Sequence, residues 1–197
     1  MDFEKLSEDK RQAILNAGIL CFGRCGYKKT AISEIAEEAG ISKAAIFHYF
    51  GSKQDLFLYL YRYAYREVIA QMDEGTTDYF ESLTKYIQAN IIIINKHPGM
   101  NEFLQLQNHK EDFEAIGKLV NIERKHCEKS IAAIFNKVDW EKFQGGYDPN
   151  TIMNLATWVW EGCLTQFAEA VPIDESILKV TRYFSILKKA LYKPEYL

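Results

Sequence analysis

An all-α fold of about nine helices is predicted by three features of the 197-residue sequence. Apolar residues recur at three- and four-residue spacing along most of the chain. Alternating runs that would mark strands are scarce. Ala36, Gly40 and Ile46 stand at the A-x3-G-x5-I spacing of a helix-turn-helix, in which a small residue permits close approach, a glycine leaves the first helix at positive φ and an isoleucine seals the crossing. Such a unit serves chiefly to set one short helix into a DNA groove.

The elements follow in order. A first amphipathic helix, Ser7 to Cys25, carries a stripe of Ile14, Ala17, Gly18, Cys21 and Phe22, and Gly26 ends it. Thr30 is placed to cap the next helix, whose Ile32, Ile35, Ala36 and Ala39 face inward while Glu34, Glu37 and Glu38 stay wet. Ile41 plugs the turn. Ser42 caps a short helix from Lys43 to Tyr49 that buries Ile46 and Phe50, and Ser52 with Asp55 forms an S-x-x-D start for a long helix with Leu56, Phe57, Leu60 and Ala64. A three-helix head over residues 1–52 is small for an independent core and should lean on that long helix.

Residues 53–197 read as a helical body. Breaks are predicted at Gly75 to Asp78, at His97-Pro98-Gly99 and at Gly145 to Pro149. Between them lie helices from Tyr79 to Lys96, Asn101 to Gln107 and Lys110 to Lys137. Asp148 and Pro149 start a helix reaching Ala170, and Asp174 starts the last, through Leu191.

With 48% hydrophobic side chains the chain can bury a sizeable core, which excludes a disordered or fibrous class. No apolar run is long enough to span a membrane, and MDFEKLSEDK lacks the basic-then-apolar pattern of a signal peptide, so a cytoplasmic protein with no membrane partner is expected. The net charge of −3 is unlike that of a general nucleic-acid binder. Arg24, Lys28, Lys29, Lys43 and Lys53 nevertheless fall where they would border a duplex, whereas Asp2, Glu4, Glu8 and Asp9 are assigned to a distal N-terminus. Few phosphate contacts per subunit are implied, and so a need for two subunits.

The order Phe22, Gly26, Tyr27, Thr30, Ile35, Ala36, Ala39, Gly40, Ile41, Ser42, Lys43, Ile46, Phe47, Tyr49, Phe50, Lys53 and Leu56 resembles the tetracycline-repressor (TetR) type of transcriptional regulator over about residues 10 to 60. Beyond that stretch the likeness is architectural. The resemblance implies a homodimer with a DNA-binding head, bound to double-stranded operator DNA, and a divergent body that binds a small-molecule effector and dimerises. Members commonly have tyrosine where Phe47 stands, so a phosphate contact through that hydroxyl is absent here.

On this reading Lys43, Ala44, Ala45, Phe47 and His48 face the groove, while Thr30, Ser33, Ser42, Tyr49 and Lys53 hold phosphates. The alternative for Phe47 and Tyr49 is packing beneath the following helix. Trp158, Gly162 and Thr165 line one face of a helix whose other face carries Leu155, Val159 and Cys163; the first face, with Val180, Phe184 and Leu187 of the final helix, is expected to form an isologous dimer contact. Phe103, Gln107, His126, Trp158 and Glu161 are candidate effector contacts, although a helical protein needs aromatic core residues in any case, and core packing is the readier account of any single one.

Cys21 and Cys25 are one turn apart, but a thiol in a buried stripe behaves as a small hydrophobe, and His109 and His126 are separated by about 25 Å of helix, so neither a metal nor a cofactor is expected. No nucleophile elbow, phosphate loop or zinc pair argues for an enzyme. Two alternatives remain: a DNA-bound interaction protein regulated by a protein partner, and an activator.

Overall fold

The computed structural model describes residues 3–71, 76–106, 114–118, 120–122, 125, 129, 135–167 and 173–197. They form an all-helical chain: α1 (Glu8–Lys29), α2 (Ile32–Glu38), α3 (Lys43–Phe50), α4 (Lys53–Ala70), α5 (Tyr79–Lys96), α6 (Met100–Gln105), α7 (Pro149–Phe167) and α8 (Ile173–Leu191), with short 3-10 turns at Phe3–Lys5, Trp140–Lys142 and Pro194–Tyr196. Helical residues also occur between 114 and 122. Among the described residues the extended pairing is an isolated antiparallel bridge between Phe143 and Tyr192.

Local chemistry explains the boundaries. At the end of α2 the Ile41 N–H donates to the Ala36 carbonyl (2.9 Å) and the Gly40 N–H to that of Glu37 (3.1 Å), the two bonds of a Schellman cap. Gly40 sits at φ 66°, and a Cβ there would meet no atom, so conformation alone demands glycine. Asp148 Oδ1 accepts from the Asn150 N–H (2.9 Å) ahead of α7, with Pro149 at the first helical position. The first helix runs four residues beyond its expected stop at Cys25, because Gly26 (φ 80°, ψ 166°) kinks it and a last turn reaches Lys29.

The chain divides into two compact units. The first holds Met1–Ala70 and Ile92–Ser130. Here α1 buries Leu15 and Ile19 beside the expected Ile14, Ala17, Gly18 and Phe22, since it packs against α2, α4 and α6. Leu56, Phe57, Leu60 and Ala64 of α4 are buried in this unit, so the head helices do lean on α4. The rings of Phe22, Phe57 and Phe103 meet at 5.1–6.4 Å.

The contact between α1 and α6 is tight enough to test. A Cβ on Gly23 would lie 2.5 Å from the Gly99 carbonyl oxygen and 3.3 Å from the Phe103 nitrogen, both backbone atoms that cannot rotate away. Gly23→Ala is expected to cost about 2 kcal/mol and lower the thermal midpoint by about 4–8 °C. An unchanged midpoint would mean that the two helices do not approach so closely.

The second unit comprises Gln71–Ile91 and Ile131–Leu197. Its core gathers Tyr79, Phe80, Leu83, Ile87, Phe143, Ile152, Ala156, Val180, Phe184 and Tyr192. The Tyr192 hydroxyl accepts from the Tyr79 N–H (3.1 Å), satisfying one orphan donor of α5, and Lys188 pairs with Asp78 at 2.8 Å.

Candidate nucleic-acid interface

Only one side chain of α3 is fully buried. Ser42 caps the helix, its Oγ accepting from the Ala45 N–H at 3.1 Å, and Ile46 is driven inward with no exposure. Phe50, expected to be buried with Ile46, is half-buried, so only one face of α3 is left open. Lys43, Ala44, Phe47 and His48 are exposed, and Ala45 and Tyr49 are half-buried. Phe47 is 40% exposed with the Lys43 Nζ 5.9 Å from its ring centre, so it lies on the surface rather than beneath α4. Tyr49 is shared: its ring stands edge-on to His48 (5.5 Å) and to Phe3 (6.0 Å).

The flanks are arranged differently from expectation in one respect. Thr30 does not cap α2. Ala31 occupies that position, and Glu34 reaches back to accept from its N–H at 2.9 Å. Thr30 instead closes α1: its hydroxyl donates toward the carbonyls of Gly26 (2.7 Å) and Cys21 (3.0 Å), and the residue is 1% exposed, leaving no hydroxyl surface for a phosphate. The Thr30 N–H also donates to the Gly26 carbonyl (3.3 Å), so both backbone and side chain of this residue close the last turn of α1. Ser33 is exposed in the first turn of α2. Lys53 donates to the Lys28 carbonyl (3.2 Å) and lies 4.7 Å from the Tyr27 ring centre, which fixes its ammonium beside the exposed Lys28 and Lys29.

A capped helix turned outward, a positive-φ turn before it and lysines on its flanks are the parts of a DNA-reading head. Residues 14–60 match the family described as bacterial regulatory proteins, tetR family. The head, residues 14–60, thus carries the tetR-family pattern. The transcriptional regulator HbdR of Aromatoleum sp. (strain CIB) is 36% identical over 94 residues, 46% of this chain and 41% of that protein. The transcriptional repressor AcnR of Corynebacterium glutamicum is 43% identical over 54 residues, 27% of this chain and 29% of that one. The matches thus span less than half the length of these curated relatives. The fold extends further than the sequence likeness: the regulator FadR of Bacillus subtilis, crystallised with stearoyl-CoA, superposes with a TM-score of 0.65 at 16% identity, covering 87% of this chain and 96% of that one.

Outside the tetR head the expected residues scatter. Phe103 is 1% exposed and packs on Phe22 and Phe57, so it is core and not the wall of a cavity. Gln107 and His126 lie outside the described residues. Trp158 is 66% exposed on α7, with Glu161 and Gly162 also exposed, and the side chain of Thr165 is outside the described set. Val180 and Phe184 were expected at a dimer surface. Both are buried in the core of their own unit, Phe184 lying 6.3 Å from the Phe80 ring, and Leu187 packs partly against that core. The exposed apolar residues of α8 are Leu178, Tyr183 and Ile186.

Cys21, expected in the buried stripe of α1, is half-buried, and that burial, helped by Glu38 and Glu34, pushes its thiol up. No group of metal-ligating side chains occurs among the described residues, and no helix there is long and apolar enough to cross a membrane.

Two features escaped sequence reasoning. Phe3, which lies between the acidic residues assigned to a distal terminus, is 5% exposed and touches α3 and α4. His97, read only as part of a helix break, is fully buried between Asn16 of α1 and Tyr63 of α4. An isolated phenylalanine near a terminus gives no periodic signal, and a polar residue in a His-Pro-Gly run looks like a solvated turn.

Proposed function

We propose that the chain is a homodimeric, ligand-responsive transcriptional repressor of the cytoplasm: two heads bind successive major grooves of a pseudo-palindromic operator, and a small hydrophobic effector in the body releases them. The observation that carries this reading is the outward face of α3, where Lys43, Ala44, Phe47 and His48 stand exposed on a helix anchored by Ile46. Lys43 can donate to guanine O6 or N7, His48 can donate or accept, and Ala44 and Phe47 suit a thymine methyl. Repression is supported by the similarity of the head to the repressor AcnR, and a long-chain effector by the stearoyl-CoA in the FadR structure. Dimerisation is supported by Trp158, Leu178, Tyr183 and Ile186, large apolar side chains exposed on α7 and α8.

Selection of duplexes from a random pool tests the whole reading. Recovery of inverted half-sites about 34–36 Å apart, or a multiple of that, is expected. No enrichment, or an asymmetric motif, would overturn it. Effector binding should appear as a rise in thermal midpoint with some members of a panel of acyl and aromatic compounds. The same compounds should weaken operator binding by about 5- to 150-fold, the span of a 1–3 kcal/mol coupling.

Single substitutions separate the roles of the two lysines. Lys43→Ala should cost about 1–3 kcal/mol on the selected operator and relax base preference at one position. Lys53→Ala should weaken all duplexes alike and reduce the salt slope by about one. Equal losses on operator and random DNA for both variants would count against the assignment.

A further inference from the structure

We propose that the N-terminal turn Phe3–Lys5 is a strap that sets the angle of α3, with Phe3 the positioning residue for base recognition; this rests on α3 being the DNA-reading helix. An eight-residue helix has little stability of its own and takes its orientation from what it packs on. Ile46 supplies the one fully buried anchor. The half-buried rings of the last turn, Tyr49 and Phe50, leave the far end of the helix less firmly held.

A further anchor, at the last turn, comes from the start of the chain. The Phe3 ring centre lies 4.8 Å from that of Phe50 and 6.0 Å from that of Tyr49, both in the last turn of α3, and 5.2 Å from Tyr59 of α4. Phe50 and Tyr59 meet at 5.4 Å, so Phe3 closes a ring cluster that bridges the two helices. The turn is itself tied down by polar contacts. Glu4 accepts from the Tyr59 hydroxyl at 2.6 Å and pairs with Arg11 of α1 at 3.5 Å, while the Leu6 N–H donates to the Phe3 carbonyl at 3.1 Å. The strap thus grips α1 and α4 through Glu4 and α3 through Phe3.

Base readout requires donors held within about 0.5 Å and 10–20° of their targets, whereas phosphate contacts by flexible lysines tolerate more. Removing Phe3 should therefore erode operator affinity while sparing random DNA. A general loss of fold would lower both together.

The test uses the full chain, the duplex recovered by random-pool selection, a random duplex of equal length, and amide exchange of residues 43–50 in the free protein. Phe3→Ala is expected to weaken the selected duplex about tenfold, to leave the random duplex within about twofold, and to speed exchange at residues 46–50. Phe3→Tyr, which keeps the ring, should restore both. Unchanged discrimination, an equal loss on both duplexes, or unchanged exchange in Phe3→Ala would overturn the strap. Should wild-type protein recover no duplex, the reading of α3 as a DNA reader fails, and the exchange rates alone still decide whether Phe3 holds that helix.

Discussion

Trp158→Glu is expected to split the proposed dimer and to lower operator affinity by about a hundredfold or more. Trp158 leaves 66% of its surface exposed, and Leu178 and Ile186 on the adjoining α8 leave 69% and 55%. An exposed tryptophan is the kind of residue that dominates an interface, and a carboxylate in its place would have to be buried unpaired on association. In an isolated subunit the same carboxylate would face water at little cost. The variant should therefore keep its helical content while sedimenting as a single chain. Operator affinity falls because the second head is no longer held at the effective concentration that a dimer provides. A variant that remains dimeric would place the subunit contact elsewhere.

Acid is expected to remove about 3 kcal/mol of stability between pH 6.5 and 4 through His97 alone. The imidazole has no exposure; its Nδ1 lies 2.5 Å from Asn16 Oδ1, an acceptor, so Nδ1 carries the proton and Nε2 accepts from the Tyr63 hydroxyl at 2.9 Å. Burial, reinforced by the neighbouring Lys96 ammonium and opposed by Glu67, pulls its pKa from 6.5 down to about 4. The unfolded chain takes up this proton near pH 6.5 and the folded chain only near 4, so stability is full above 6.5 and declines as pH falls through that window. Carboxylates held below their usual range, such as Asp78 and Glu81, act lower, which leaves pH 6.5 to 5 diagnostic of the histidine. Urea unfolding of wild type and His97→Gln across this range provides the check. The variant should be less stable at pH 7 yet show a flatter slope, and a slope equal to that of wild type would sink the assignment.

His97 also illustrates how far a linear reading carries. Its position in a helix break was legible, because His-Pro-Gly interrupts any helical pattern, and α5 spans Tyr79–Lys96 as the pattern required. That the imidazole would be locked onto residue 16 was not, since a hydrogen bond across 81 residues leaves no local trace. The same holds for Phe3. For the candidate interface, Ser42, Ile46 and Gly40 announced themselves by capping, burial period and turn chemistry, which depend on neighbours a few residues away. Thr30 misled because a threonine before an amphipathic run looks like a cap, and only the kink at Gly26 shows that its hydroxyl is spent on α1.

The face chosen by α8 marks the limit most plainly. Val180, Phe184, Leu178 and Ile186 are all apolar, and the helix period places two stripes on it without saying which turns inward. Packing decided, because Val180 and Phe184 could meet Phe80 and its neighbours while Leu178 and Ile186 could not. Helix positions, the outward face of α3 and the likeness of residues 14–60 to the tetR family follow from interactions within a turn or two, which the order of residues dictates. Which apolar stripe is hidden, where the N-terminal phenylalanine docks and which histidine is neutral follow from contacts between distant segments, and these exist only once the chain has closed on itself.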